Sequence, residues 1–174
     1  MWTQLQFLFY TIPAVIVLAG CYFLVKKFLD NEQKIRLLEM KKEWQKDILP
    51  LRLQAFERMV LFLERISPNN LLMRVHKPGF TAKEFQIELH ATIRSEFEHN
   101  ITQQIYLSSQ SWAVAKSAKE EIIKLINTAA AKLDSNATAM DLSAGIFEII
   151  IKNELKPAQN AIEFIKKEAR TIFI

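Results

Sequence analysis

Apolar and polar positions divide the chain into one long uncharged run and a series of amphipathic segments. From Leu5 to Val25 the sequence reads LQFLFYTIPAVIVLAGCYFLV, and no Asp, Glu, Lys or Arg occurs before Lys26. A helix of this length rises roughly 30 Å, which matches the hydrocarbon core of a bilayer. The run therefore predicts a single N-terminal transmembrane helix that occupies residues 1–27.

The next segment, residues 28–49, contains no glycine or proline and alternates charges of opposite sign. Its apolar positions recur at spacings of three and four, the pattern of one helical stripe, and they are Leu37, Met40, Trp44, Ile48 and Leu51. The pattern predicts a connecting helix, and Trp44 is expected to fill a core. Asp47 and the short length favour a helix packed on the following domain over a coiled coil. Pro50 predicts a kink or a break.

The remainder, residues 50–174, combines amphipathic segments with helix start signals. Ser67–Pro68 is an N-cap followed by proline, and Thr81–Glu84 has the Thr-x-x-Glu pattern of a capping box. Residues 110–133 give the clearest apolar stripe. Residues 134–141, DSNATAMD, predict a loop, a helix is expected over residues 142–155, and Pro157 opens a last helix. The expected fold class is all-α: a single N-terminal transmembrane helix followed by a cytoplasmic bundle of about five to six helices.

One charged residue interrupts the first helix of this bundle. Arg52 falls in the centre of an apolar face whose members are Ala55, Phe56, Met59, Leu63 and Ile66. Near a helix start, an arginine can extend its guanidinium to solvent. Alternatively Arg52 is buried and forms an ion pair with a carboxylate from another helix, because an unpaired buried charge is unfavourable. The sequence leaves both interpretations open.

Composition narrows the class of protein. The three glycines and five prolines among 174 residues are few for a many-stranded sheet. The net charge of +4 is small, and the basic residues form no stripe, so a nucleic-acid partner is not expected. A single cysteine rules out a disulfide within the chain.

Flanking charge predicts which side of the membrane the bundle occupies. Lys26 and Lys27 directly follow the apolar run, and no charged side chain precedes it, so the positive-inside rule places the C-terminal domain in the cytoplasm. The alternative is a periplasmic lipoprotein, because Leu18–Cys21 has the form of a lipobox cleaved before Cys21. Against it, the first residues lack a basic side chain and the sequence stays apolar after Cys21.

The search for chemistry finds one weak candidate. The three isolated glycines cannot build a phosphate-binding loop, and no metalloprotease, hydrolase or Cys-x-x-Cys motif occurs. Glu96 and His99 have the Glu-x-x-His spacing of di-iron helices, but such a site needs a second copy of the motif and further glutamates. A helical metal-binding protein or enzyme using Glu96 and His99 is therefore kept only as an alternative, with no cofactor expected.

Two stretches, ILPLRLQAFERMVLFLERISPNNLLMRV and EFEHNITQQIYLSSQSW, resemble the signature stretches of a family of small bacterial proteins of unknown function. The resemblance implies one N-terminal span followed by a helical domain, and it supports a bacterial inner-membrane setting. It implies no activity or ligand. The expected function is a non-enzymatic, membrane-anchored scaffold or accessory subunit that recruits a protein partner, or forms a homo-oligomer, at the cytoplasmic face. Candidate partner contacts are Trp44, Phe173 and Ile174.

Overall fold

The computed structural model describes the backbone of residues 2–172 and the side chains of residues 15–172. Within these residues the chain forms six α-helices and one 3-10 turn, and no strand. They are α1 (Trp2–Ile66), α2 (Pro68–Val75), α3 (Ala82–Asn100), the turn Ile101–Ile105, α4 (Ser109–Ala130), α5 (Ala139–Lys152) and α6 (Pro157–Thr171). The all-α fold class predicted from the sequence is confirmed.

The chain divides into two compact units, Met1–Leu49 and Pro50–Ile174. Every residue of α1 on either side of Pro50 is helical, so the predicted alternative of a helix break at this proline is wrong. Proline removes one backbone N–H donor, and the neighbouring helical hydrogen bonds remain available on both sides of it.

The second unit has a continuous apolar core to which each of its helices contributes. The stripe predicted on residues 55–66 is confirmed, because Ala55, Phe56, Met59, Leu63 and Ile66 are at most 3% exposed. Its fully buried partners from the other helices include Leu71, Phe85, Ile122, Leu142 and Ile165. Burying side chains of this size is the main favourable contribution to folding, about 1.5–3 kcal/mol for each relative to exposure.

Local signals set the helix boundaries. The capping box at Thr81 is confirmed: its hydroxyl accepts from the Glu84 N–H, and the Glu84 carboxylate accepts from the Thr81 N–H at 2.9 Å. A second capping box, formed by Thr138 and Asp141, starts α5 at Ala139. The sequence assigned these residues to a loop, because Asp is a less familiar third residue of the box than Glu or Gln.

The turn between α5 and α6 holds one residue with a left-handed backbone. Glu154 has φ of 49°, a conformation that glycine adopts without the steric conflict of a Cβ. The Leu155 N–H donates to the Ile150 carbonyl at 3.1 Å, closing the helix end as in a Schellman motif. Glu154 therefore occupies the position where glycine is most common.

Candidate functional site

The described part of the apolar run is helical and apolar on every side. Val15, Ile16, Val17 and Leu18 are 62–70% exposed, and four consecutive residues point in four different directions around a helix. Residues 5–14 of the predicted span lie outside the side chains that the structure describes. Within the described residues, no helix has a stretch that is both long enough and apolar enough to cross a membrane.

The apolar stripe of the connecting segment is also exposed. Leu37, Met40, Trp44 and Ile48 are 48–65% exposed. The expectation that Trp44 fills a core is therefore wrong, because a tryptophan of a compact core would be largely covered. Trp44 remains available as a candidate partner contact, and Phe173 and Ile174 lie outside the described residues.

A carboxylate shared by two arginines joins three helices of the second unit. Glu96 on α3 accepts from Arg65 Nε of α1 at 2.8 Å and from Arg74 Nη1 of α2 at 2.7 Å. Arg74 also donates to the backbone carbonyl of Arg65 at 3.1 Å, which satisfies an acceptor at the end of α1. The Glu96 side chain is only 16% exposed, so this network lies at the edge of the core.

Opposing effects set the charge of Glu96. Burial on its own raises the pKa of this carboxyl, but the hydrogen bonds and positive charges of Arg74 and Arg65 outweigh it. The pKa of Glu96 is therefore held below its ordinary value of 4.5, and the group is a carboxylate at neutral pH. An ionised carboxylate engaged by two guanidinium groups is not available as a general acid.

The second half of the Glu-x-x-His pattern is also engaged. His99 Nδ1 lies 2.7 Å from the Ser95 carbonyl oxygen, so this nitrogen carries the proton and donates it to that carbonyl. Glu96 and His99 line a groove of about 560 Å³ together with Arg58 and Arg65. Between residues 15 and 172, no group of three or more His, Cys, Asp or Glu side chains could hold a metal ion.

Arg52 has surroundings between the two considered from the sequence, since it is partly solvent-exposed and forms one hydrogen bond within the fold. It is half-buried, and its Nε donates to the backbone carbonyl of Tyr106 at 3.3 Å. No carboxylate pairs with it in the described part of the chain, so the candidate ion pair is corrected to a hydrogen bond with a carbonyl. A carbonyl oxygen partly compensates the guanidinium and leaves it in contact with solvent.

A second polar cluster was not anticipated from the sequence. The Glu168 carboxylate of α6 accepts from the Ser108 and Ser111 hydroxyls and from the Ser108 N–H at 3.3 Å. Ser108 is the N-cap of α4, and Ser111 is fully buried. A carboxylate at a helix N-terminus meets unpaired N–H groups and the positive end of the helix dipole. The separation of sixty positions explains why no local pattern revealed this contact.

An aromatic cluster packs against the core beside Glu96. Phe97 stacks on Trp112 with ring centroids 5.3 Å apart, and Phe62 lies 5.8 Å from Phe97. The Lys119 ammonium sits 4.3 Å from the centroid of the Phe97 ring, within the range of a cation–π interaction. Trp112 thus packs against the core and is partly buried, unlike the exposed Trp44.

A cavity of about 490 Å³ opens beside the start of α2 and the α5–α6 turn. Its lining includes Glu64, Ser67, Lys156 and Gln159. The Ser67 hydroxyl donates to the Glu64 carbonyl at 2.7 Å, and no histidine lines the cavity to act as its base.

A protein-family model described as "Family of unknown function (DUF7935)" matches residues 3–172. No curated protein and no solved structure matches the chain.

Proposed function

The chain belongs to DUF7935, a family of unknown function, and from this premise we propose that it is a non-enzymatic, membrane-anchored helical scaffold. In this proposal the N-terminal helix crosses the bacterial inner membrane, and the helical domain of residues 50–174 recruits a protein partner at the cytoplasmic face.

The observation that carries the anchor is the exposure of apolar side chains all around one helix. Ile16, Val17 and Leu18 point in three directions about 100° apart, and each is more than 60% exposed. In water, a helix that is apolar on all sides has no polar face to present, whereas lipid solvates every side of it. The uncharged run extends back to Leu5 in the sequence, which gives the proposed span the required length.

The proposed side of the membrane rests on charge. Lys26 and Lys27 end the run and are exposed, and four more basic residues follow within the connecting helix: Lys34, Arg36, Lys41 and Lys42. No charged residue precedes the run. This asymmetry is the one that retains the following segment in the cytoplasm.

The scaffold role is supported by the state of the polar groups in the second unit. Glu96 is held by Arg65 and Arg74, and Glu168 is held by two serines, so both carboxylates stabilise helix contacts. Exposed apolar side chains such as Trp44, in contrast, provide surface that a protein partner could cover.

The test is membrane topology of the full-length chain in bacterial cells. The protein is expected in the carbonate-resistant membrane fraction, and its helical domain is expected to resist protease added to spheroplasts and to be digested after lysis. Digestion in intact spheroplasts, or release by carbonate, contradicts the proposal.

The lipoprotein alternative has its own readout. Cleavage before Cys21 would remove residues 1–20 and add lipid, so the intact mass of the purified protein distinguishes the two forms. The proposal expects the uncleaved mass, and it expects Cys21→Ala to leave mass, apart from the substitution, and membrane retention unchanged. A lipid-modified mass that Cys21→Ala abolishes would establish the alternative.

A further inference from the structure

The exposed stripe of the unit Met1–Leu49 repeats every eleven residues. Leu29 precedes Met40, Gln33 precedes Trp44, and Leu37 precedes Ile48 by that interval. Eleven residues fill three turns at about 3.67 residues per turn, close to the 3.6 of an undistorted α-helix. These six residues, here called the 29–48 face, therefore form one nearly straight face roughly 30 Å long.

The 29–48 face is open along its whole length. Leu29, Met40 and Ile48 are about half exposed, at 48–51%, and Trp44 is 65% exposed. Asp30 and Lys41 border one edge of this face and Arg36 and Asp47 border the other, and the remaining charged residues of the segment lie farther around the helix. An apolar face of this length on a monomeric protein marks an interaction surface.

We infer that the 29–48 face is the contact surface of a parallel homodimer, in which each side chain packs against its counterpart from a second copy. The inference rests on the proposed function, because a shared membrane anchor makes two copies parallel and in register. In this inference the first protein partner of the scaffold is a second copy of the same chain.

Charge favours a second copy as the occupant. From Asp30 to Asp47 the helix carries five basic residues (Lys34, Arg36, Lys41, Lys42, Lys46) and five acidic residues (Asp30, Glu32, Glu39, Glu43, Asp47). Two copies therefore meet without net repulsion. A helix that lies on an anionic lipid surface would instead have an excess of Lys and Arg on its polar face.

The single polar member of the face points to the same occupant. An amide has both donors and an acceptor, so Gln33 can pair with Gln33 of a second, in-register copy. An apolar surface of an unrelated partner would leave the buried amide unpaired, which is unfavourable. A lone polar residue in an apolar seam also fixes register and oligomer state in coiled coils.

The available area is sufficient when the copies share a membrane. Closing two such faces buries on the order of 1,000 Å², near the lower end for specific protein interfaces. Anchoring both copies in one bilayer raises their effective concentration, which strengthens a contact of this size.

The first experiment is cysteine crosslinking of the full chain in native membranes, in a Cys21→Ser background. Met40→Cys places a thiol on the 29–48 face, and Lys42→Cys places one about 200° around the helix as the control. Oxidation is expected to yield at least about five-fold more disulfide dimer for Met40→Cys. Equal yields, or no dimer from Met40→Cys, overturn the inference.

A second measurement uses the mass of the purified full chain in detergent. The parent protein and Lys42→Glu are expected to be dimers, and Trp44→Glu is expected to be a monomer with an unchanged helical circular dichroism spectrum. A monomeric parent, or a dimeric Trp44→Glu variant, contradicts the homodimer. Failure of the inference leaves the protein in the carbonate-resistant fraction, whereas failure of the anchor releases it, so the two outcomes are distinguishable.

Discussion

Thr81 and Thr138 lie opposite each other in an isolated antiparallel bridge, and each is the N-cap of the helix that follows it. The Ala82 N–H donates to the Ala137 carbonyl at 2.8 Å, and the Ala139 N–H donates to the Phe80 carbonyl at 3.1 Å. The starts of α3 and α5 are therefore joined by two backbone hydrogen bonds. Both starts have the sequence Thr-Ala-x-acid. The same capping box therefore occurs twice, and the two copies are neighbours in the fold.

The two caps should contribute measurably to stability. Thr138→Ala is expected to lower the free energy of unfolding by about 1 kcal/mol, because the Asp141 N–H loses its side-chain acceptor. Urea denaturation of the full chain in detergent measures this change. Thr128→Ala is the matched control, since that exposed hydroxyl donates to a carbonyl within its own helix. A loss in the control as large as at Thr138 would contradict the assigned role.

The ion pairs of Glu96 with Arg65 and Arg74 should make the free energy of unfolding depend on pH. Glu96→Gln is expected to lower the free energy of unfolding by about 1 kcal/mol at pH 7, because Arg65 and Arg74 keep only a neutral acceptor and both are partly exposed. The pKa of Glu96 is lower in the folded chain than its ordinary value of 4.5. Its contribution is therefore complete above that value and is lost as the pH falls through the folded pKa.

The parent protein should thus lose more stability below pH 4.5 than Glu96→Gln does. Denaturation at a series of pH values measures the difference. Glu98→Gln is the control on the same helix, because that side chain is exposed. Parallel pH profiles for the parent and Glu96→Gln would show that the two arginines do not lower the pKa of Glu96.

The α5–α6 turn offers a stabilising substitution. Glu154→Gly is expected to raise the free energy of unfolding by about 0.5–1 kcal/mol, because glycine adopts the positive φ of this position without strain. Glu148→Gly, at an exposed position inside α5, is expected to lower it by about 1 kcal/mol for lack of helix propensity. Thermal or urea denaturation of both variants gives the sign of each change in the free energy of unfolding. A destabilising Glu154→Gly would mean that the glutamate side chain makes a contribution larger than the strain.

The Glu168 contact should be the most sensitive polar interaction of the bundle. Glu168→Ala removes the acceptor of the Ser108 and Ser111 hydroxyls, and Ser111 is fully buried. The expected loss is about 2 kcal/mol, the effect of leaving buried donors without a partner. Lys167→Ala, one position away and exposed, should change stability by less than about 0.5 kcal/mol. Equal effects at the two positions would contradict this assignment.

Periodicity predicted the fold better than it predicted the polar contacts. The face formed by Ala55, Met59 and Ile66 could be predicted because helical spacing is a local property of the sequence. The partners of Glu96 and Glu168 could not, since they lie 22 to 60 residues away and are set by helix packing.

Trp44 marks a second limit of sequence reasoning. Spacing identifies an apolar stripe but does not say whether the same chain covers it. Arg52 marks a third, because a backbone carbonyl has no sequence code and the hydrogen bond to Tyr106 could not be foreseen. The start of α5, unlike these contacts, was encoded locally in the sequence. Thr138 and Asp141 form a capping box in which Asp replaces the usual Glu or Gln.

The hydrogen bond that Ser108 donates to Glu168 can form only late in the synthesis of the chain. The ribosome synthesises Ser108 and Ser111 well before Glu168. Until Glu168 is made, the two serine hydroxyls of the nascent chain can form hydrogen bonds only with water or with other groups. Only after α6 leaves the exit tunnel can the carboxylate dock and the apolar faces close around it.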